Sequence, residues 1–223
     1  MSHAPTAADA PTAVDDWIRI DSVDELVALI GEPIQRVRDK VRPALLPVDR
    51  DWLSASPFCV LATASADGRC DASPKGDPAG SLVHVVDDRT IAIAERPGNR
   101  RADGYRNILE NPWVGLDFLI PGRGDTLRVN GRARLVREAP FFDEMVVKDH
   151  RPLLAVVVEV EEVFFHCSKA FLRSGLWEPE TWDPEGIVPR RAALAARYEP
   201  TGMTEAQLDD YYAPQNYRRG LYA

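Results

Sequence analysis

Four arginines lie close together in the stretch 91–111, IAIAERPGNRRADGYRNILEN, which carries only three acidic residues. They are Arg96, Arg100, Arg101 and Arg106. A guanidinium offers planar pairs of N–H donors that match phosphate oxygens, and a helix N-terminus adds free backbone N–H groups. Because Arg100 and Arg101 follow a Pro-Gly-Asn turn, at the first turn of a predicted helix, they predict a phosphate-binding site. Arg96 and Arg106 are secondary candidates, and a solvated basic surface is the alternative.

Ser73 and Lys75 form a second candidate site within the sequence Ser-Pro-Lys-Gly. Side chains two residues apart in a strand point to the same face, so this hydroxyl and this ammonium can contact one ligand together. The following Gly76 allows a close backbone approach. An exposed lysine at a strand end is the alternative interpretation.

Other chemistry-bearing motifs are missing from the sequence. The four histidines and three cysteines have no metal-ligand spacing, so no zinc site is predicted. The cysteines are odd in number, so no disulfide framework is predicted either. We find no nucleophile elbow or P-loop, and Gly122-x-Gly124 is predicted to be a hairpin turn between two strands. His166 could transfer protons near neutral pH, although a structural role is the alternative. If the protein is an enzyme, a cofactor must therefore supply its chemistry.

Composition limits the possible partners. The chain has 223 residues, a net charge of -8 and a pI near 5.1, which argues against nucleic-acid binding. The N-terminal sequence lacks the features of a secretory signal, and no apolar run approaches the roughly 20 residues that span a bilayer. We expect a cytoplasmic protein with no membrane or nucleic-acid partner.

The pattern of elements predicts a small barrel. Hydrophobic runs bounded by turn residues predict strands, of which the first four would follow one another in meander order. The expected strands are 58–63, 70–75, 81–86, 91–94, 113–120, 125–136, 154–160 and an edge strand at 163–167. Helices are expected at 99–110 and 140–148. Many short antiparallel strands with few helices predict a mainly β fold with peripheral helices, closed or nearly closed into a barrel.

Four regions are expected along the chain. Residues 1–16 are rich in Ala, Pro, Thr and Asp without periodicity, which predicts a disordered tail. Residues 17–56 form a helical segment, and residues 57–175 form the barrel domain. The extension 176–223 is helical and aromatic, and its composition favours a contact between the two subunits of a dimer.

At residues 57–136 the chain resembles the FMN-binding split-barrel family, the pyridoxamine 5'-phosphate oxidase-like flavoproteins. Four segments carry the resemblance: FCVLATASADGRCDASPKG, AERPGNRR, LENPWVGLDF and DTLRVNGRARLV. The later sequence FFHCSKAFLRSGLW is similar to an uncharacterised subgroup, not to the oxidase itself. The resemblance implies a split β-barrel and a homodimer with FMN at the subunit interface.

The resemblance also implies a set of cofactor-binding residues: Ser73, Lys75, Ala94, Glu95, Arg100, Arg101, Thr126, Arg173 and Trp177. The arginine pair would bind the FMN phosphate, and the second-strand residues would contact the flavin. Ala94 and Glu95 would contribute backbone contacts, and Thr126 a polar side chain. Arg173 and Trp177 would come from the partner chain.

The implied function is that of an FMN-dependent oxidoreductase acting on an unidentified small substrate, with its catalytic residues unassigned. A non-catalytic flavin- or haem-binding module, with His166 as iron ligand, is one alternative, and a plain interaction protein is another. Deazaflavin could replace FMN. Pyridoxamine 5'-phosphate oxidase activity is less favoured, because Cys70 stands where the oxidase has an arginine and the oxidase's C-terminal signature is missing.

Overall fold

The computed structural model describes residues 17–183 and 186–222. These residues fall into two compact units, one ending at Asp39 and the other beginning at Lys40. The tail predicted at 1–16 lies outside the described residues. The first unit contains helix α1 (Val23–Ile30) and helix α2 (Gln35–Arg38). Helix α1 is capped by Ser22, whose hydroxyl accepts a hydrogen bond from the Glu25 N–H at 3.1 Å.

Seven antiparallel strands form one sheet in the second unit, in the order β2-β1-β5-β6-β7-β4-β3. Their bounds are β1 Phe58–Ala64, β2 Cys70–Gly76, β3 Val83–Asp87, β4 Thr90–Ala94, β5 Trp113–Leu119, β6 Thr126–Val136 and β7 Ala155–His166. The predicted class, mainly β with peripheral helices, is confirmed.

The meander order predicted for the first four strands is wrong. Strands β1 and β2 form one hairpin, β3 and β4 form another, and the two hairpins lie at opposite edges of the sheet. Each hairpin depends on its own turn, whereas pairing between hairpins depends on distant partners, here β5 for β1 and β7 for β4. The edge strand predicted at 163–167 is also wrong, because these residues continue the central strand β7 up to His166.

A β-bulge lets β6 and β7 pair along their whole length. The register shifts between Asn130 and Gly131. A Cβ at Gly131 would lie 2.0 Å from the Glu159 carbonyl oxygen, so this close backbone approach requires glycine.

The core packs on both faces of β7. Val156 and Val158 belong to the larger apolar cluster, and Ala155 and Val157 belong to a smaller one on the other face. Strand β7 is therefore buried on both faces over this part of its length. The helix predicted at 140–148 is reduced to the single 3-10 turn Phe142–Met145, which packs into the smaller cluster.

The described part of the second unit also contains the α-helices α3 Pro47–Ala55, α4 Asp103–Glu110, α5 Lys169–Ser174, α6 Arg191–Tyr198, α7 Glu205–Tyr212 and α8 Pro214–Tyr217. Helix α4 begins four residues later than predicted. Arg100 and Ala102 have φ angles of 59° and 56°, a left-handed conformation that a helix cannot contain. The expectation that Arg100 and Arg101 lie in the first helical turn is therefore wrong, and they lie in the preceding loop. No helix within the described residues is long and apolar enough to cross a membrane.

Candidate functional site

A cleft of about 2000 Å³ lies on the second unit. One wall is residues 71–77 of β2 and its end, and another is the segment 94–105, which runs from the end of β4 into α4. Residues from the stretch 203–222 line the cleft as well. The cleft thus combines an edge strand, a basic loop and the C-terminal helices of the same chain.

Six of the nine predicted cofactor-binding residues line this cleft: Ser73, Lys75, Ala94, Glu95, Arg100 and Arg101. The other three do not. Thr126 is buried at the start of β6, and Arg173 is exposed on α5. The Trp177 indole N–H donates to the Arg123 carbonyl at 2.7 Å. A role for these three at the flavin, two of them through a partner chain, stays a prediction.

Strand β2 presents alternate side chains to the cleft. Asp71, Ser73 and Lys75 are half-buried while their neighbours in the strand are exposed, which is the period of two expected for one face. The Lys75 Nζ lies 3.4 Å from the Tyr105 hydroxyl and 4.8 Å from the centre of its ring. The strand therefore holds its hydroxyl and its ammonium on the same side, as the sequence predicted.

Burial shifts the protonation of the groups around Lys75. Burial lowers the pKa of Lys75, and the nearby Cys59, Glu95 and Asp71 offset part of this effect. Burial also raises the pKa of Glu95 and raises the pKa of Tyr105 to about 12. Tyr105 is consequently a neutral hydrogen-bond donor near pH 7. A charged Lys75 lacks full solvation here, so a bound anion would stabilise it.

The loop before α4 places two arginines at the mouth of the cleft. Both side chains are exposed, and Arg101 forms an ion pair with Asp103. The Arg101 N–H donates to the Asn99 side-chain oxygen at 3.1 Å. Arg100 has no ion-pair partner within the described part of the chain. Left-handed non-glycine residues such as Arg100 cost conformational energy and cluster at binding sites.

Helix α4 is fixed against the sheet. Gly104 is buried, and a Cβ there would lie 3.2 Å from an Asp71 carboxylate oxygen. The Asn107 amide donates to the Thr63 hydroxyl at 3.0 Å, and Ile108 packs into the larger apolar cluster. These contacts hold the N-terminus of α4, with its unpaired backbone N–H groups, at the wall of the cleft.

Sequence analysis missed a buried cluster at the same cleft. The Arg96 Nε donates to Asp77 Oδ2 at 2.7 Å, and its Nη2 donates to the Met145 carbonyl at 2.9 Å. The Tyr222 hydroxyl donates to Asp77 Oδ1 at 2.7 Å. Burial, followed by the bond to Asp77, raises the pKa of Tyr222.

One of the missed residues had a signal in the sequence. Asp77 continues the alternation of Asp71, Ser73 and Lys75, so its side chain could have been assigned to the same wall. Tyr222 is 145 positions away from Asp77, and no local pattern links them. No group of three or more His, Cys, Asp or Glu side chains that could hold a metal is found within the described residues.

The chain matches one protein family. A family model described as pyridoxamine 5'-phosphate oxidase matches residues 46–167, more than half of the chain. This match, with the seven-stranded sheet, confirms the predicted split-barrel fold. A comparison with curated proteins gives no match.

Several solved structures are similar to this chain. A putative pyridoxamine 5'-phosphate oxidase from Lactobacillus delbrueckii is 23% identical, with 55% of this chain and 95% of that chain covered and a TM-score of 0.43. HupZ from Group A Streptococcus is 19% identical, with 54% and 93% covered and a TM-score of 0.44. HutZ from Vibrio cholerae, described as a heme storage protein, is 15% identical, with 55% and 93% covered and a TM-score of 0.38. Scores of this size support no inference about function.

Proposed function

Because the chain belongs to the pyridoxamine 5'-phosphate oxidase family, we propose that it binds FMN and is an FMN-dependent oxidoreductase acting on a small substrate. One observation carries the proposal. One cleft is lined by the Arg100 and Arg101 side chains of the loop, by the N-terminus of α4, and by Ser73 and Lys75 of β2. The arginines and the helix N-terminus are groups that bind a phosphate monoester.

The residues present fit the cofactor. A phosphate monoester carries about two negative charges near neutral pH, and five cationic side chains line the cleft here: Lys75, Arg96, Arg100, Arg101 and Arg219. Leu61, Leu82, Ala94 and Leu154 give the cleft apolar walls suited to a flat tricyclic ring. Ligand pockets commonly measure about 300–1,000 Å³, so this larger cleft has room for a cofactor and a substrate together.

FMN, when bound, supplies the hydride or electron transfer that no side chain of this protein provides. The protein's own groups bind and orient. Arg100 and Arg101 hold the phosphate end, while Ser73 and Lys75 contact the flavin. Tyr105 holds its proton at the phenol oxygen, because burial raises its pKa to about 12. The apolar walls exclude water from the ring.

The proposal includes a homodimer with the flavin between two copies of the chain. In this arrangement Arg173 and Trp177 of one copy would complete the cleft of the other. Light scattering of the FMN-loaded protein should give twice the chain mass. The double variant Arg173→Ala/Trp177→Ala should weaken FMN binding. Unchanged FMN affinity would mean that the partner copy does not contribute these two side chains to the FMN site.

The first test is an absorbance spectrum of the purified protein. A yellow protein that releases FMN on denaturation supports the proposal, whereas a colourless protein that cannot be reconstituted with FMN contradicts it. Bound deazaflavin would be identified by mass after release. A Soret band on haem addition, lost in His166→Ala, would support the haem alternative; His166 is exposed and does not line the cleft.

The second test removes the phosphate-binding arginines. The double variant Arg100→Ala/Arg101→Ala should weaken FMN binding by about 3 kcal/mol, because it loses charge-assisted hydrogen bonds to the phosphate. Fluorescence titration with FMN measures the change. Arg106→Ala is the matched control, since Arg106 is exposed on α4 and does not line the cleft. An equal loss of FMN affinity in the double variant and in Arg106→Ala would show a general charge effect and contradict the assigned site.

A further inference from the structure

Two buried side-chain nitrogens at the cleft have no hydrogen-bond partner among the residues that the structure describes. They are Nη1 of Arg96 and Nε2 of His150, and both residues line the cleft. A buried polar atom without a partner is destabilising, and such atoms in a native fold call for an explanation. A ligand that enters the cleft would remove this cost.

The two residues lie beside one aromatic side chain. The Tyr222 ring centre is 5.9 Å from the Arg96 guanidinium carbon and 6.4 Å from the centre of the His150 ring. The Lys148 Nζ lies 5.3 Å from the same ring centre. Arg96 is fixed by Asp77 and the Met145 carbonyl, so its remaining nitrogen has one set position.

His150 is positioned by a strained turn. Val147 and His150 exchange backbone hydrogen bonds of 3.2 Å and 2.9 Å. The residues between them, Lys148 and Asp149, have φ angles of 48° and 63°, where glycine or asparagine is usual. Two consecutive left-handed residues without a glycine cost energy, and such strain is typical of binding sites.

We propose that Arg96 and His150 form a second anion-binding subsite in the cleft, separate from Arg100 and Arg101, which takes a carboxylate group of the substrate. The proposal rests on the proposed function in one respect, that the ligand is the flavin's substrate. Tyr222 forms the outer wall of the subsite.

Charge and donor number favour a carboxylate over a phosphate dianion. Asp77 already balances the charge of Arg96, and the Glu95 carboxyl lies close enough to His150 and Arg96 to interact with their charges. Arg96 and Lys148 together balance the charges of Asp77 and Glu95, so a phosphate dianion would bring one more uncompensated negative charge than a carboxylate. The two unpartnered nitrogens equal in number the two oxygens of one carboxylate. The exposed Arg100 and Arg101, in contrast, suit a phosphate.

The test is a ligand titration of the FMN-loaded protein. Acetate, malonate and benzoate, each compared with its uncharged amide, are titrated while the flavin absorbance is followed. We expect saturable binding of at least one carboxylate and at least tenfold weaker binding of its amide. Arg96→Gln and His150→Ala should each weaken carboxylate binding at least tenfold while FMN affinity stays within about twofold.

Two control variants keep the result specific. Arg106→Gln removes an arginine and His84→Ala removes a histidine outside the cleft, and both should bind carboxylate as the parent protein does. Because Arg96→Gln disturbs a buried ion pair, His150→Ala tests the subsite without touching Asp77. Carboxylate binding that is absent, or unchanged in His150→Ala, overturns the proposal. Loss of FMN affinity in Arg96→Gln also overturns it, because Arg96 would then belong to the cofactor site.

The subsite and the flavin function can fail separately. If the protein does not bind FMN, calorimetric titration of the cofactor-free protein with the same carboxylates still tests the subsite. Binding that is lost in Arg96→Gln and His150→Ala would then support the subsite and contradict the flavin function. An absence of binding, in a protein that does hold FMN, would contradict the subsite alone.

Discussion

Two arginine–aspartate pairs in this protein have the same chemistry and different surroundings. Arg42 donates to both carboxylate oxygens of the buried Asp49, at 2.5 Å and 2.9 Å, and the Leu46 N–H adds a third bond at 2.7 Å. Arg96 makes a single bond to Asp77, and one of its nitrogens has no partner. The first pair is complete in itself, and the second is incomplete.

The difference separates a structural pair from a candidate binding pair. Asp49 ties Arg42 to the start of α3 through the Leu46 N–H, and both of its carboxylate oxygens accept hydrogen bonds within this pair and its helix. Asp77 instead connects Arg96 with Tyr222, a residue of the C-terminal segment, at the wall of a cleft. A buried donor left open at a cleft is a feature that a fold alone does not need.

The largest expected effect concerns the complete pair. Arg42→Met should lower the free energy of unfolding by about 3–5 kcal/mol, because Asp49 would be left as a buried, uncompensated charge. Urea denaturation measures this change. Arg50→Met is the matched control, since Arg50 pairs with Asp88 at the surface and should contribute less than about 1 kcal/mol. FMN affinity should not change in either variant.

A smaller effect is expected at the incomplete pair. Arg96→Met should lower the free energy of unfolding by about 2 kcal/mol. It removes two charged hydrogen bonds, to Asp77 and to the Met145 carbonyl, but it also removes the unpartnered Nη1, and Asp77 keeps the Tyr222 donor. The same urea experiment gives the comparison. If Arg96→Met destabilises the protein as much as Arg42→Met, the distinction between the two pairs is wrong.

The link to the C-terminal segment should contribute less again. Tyr222→Phe removes the hydroxyl that donates to Asp77 and keeps the ring, so about 1 kcal/mol should be lost. Amide hydrogen exchange in residues 214–222 should become faster, while exchange in β6 and β7 stays unchanged. Equal exchange in the variant and the parent protein would show that this hydrogen bond does not hold the segment.

The smallest effect concerns Lys75 and has the opposite sign. Burial lowers the pKa of Lys75, so its charged form costs stability in the folded protein near pH 7. Lys75→Met should therefore raise the free energy of unfolding by about 0.5 kcal/mol. This effect is small because solvent still screens part of the lysine. The same variant should weaken FMN binding. The stability difference should shrink as the pH rises through the lowered pKa of Lys75, since the lysine then becomes neutral. A destabilised variant at pH 7 would contradict this account.

The sequence predicted local features of the site better than distant ones. The shared face of Ser73 and Lys75 follows from strand periodicity, and the bulge at Asn130 follows from turn chemistry. The start of α4 was placed too early, because the left-handed residues Arg100 and Ala102 have no glycine to mark them. The order of the hairpins depends on pairing with β5 and β7, which a single sequence does not reveal.

The incomplete pair shows the same limit. Arg96 was a secondary candidate because its neighbours in sequence gave it no distinct role. Its place is set by Asp77, Met145 and Tyr222, which come from three separate parts of the chain. Such a constellation depends on tertiary packing, and only the folded chain contains it.

The separation of Asp77 and Tyr222 has a consequence for folding. Their hydrogen bond closes a loop of 145 positions, whereas the β1–β2 and β3–β4 hairpins form between near neighbours. Contacts at long sequence separation carry a larger entropic cost and tend to form late. The sheet should therefore assemble before the C-terminal segment docks, and this wall of the cleft should form last and open first.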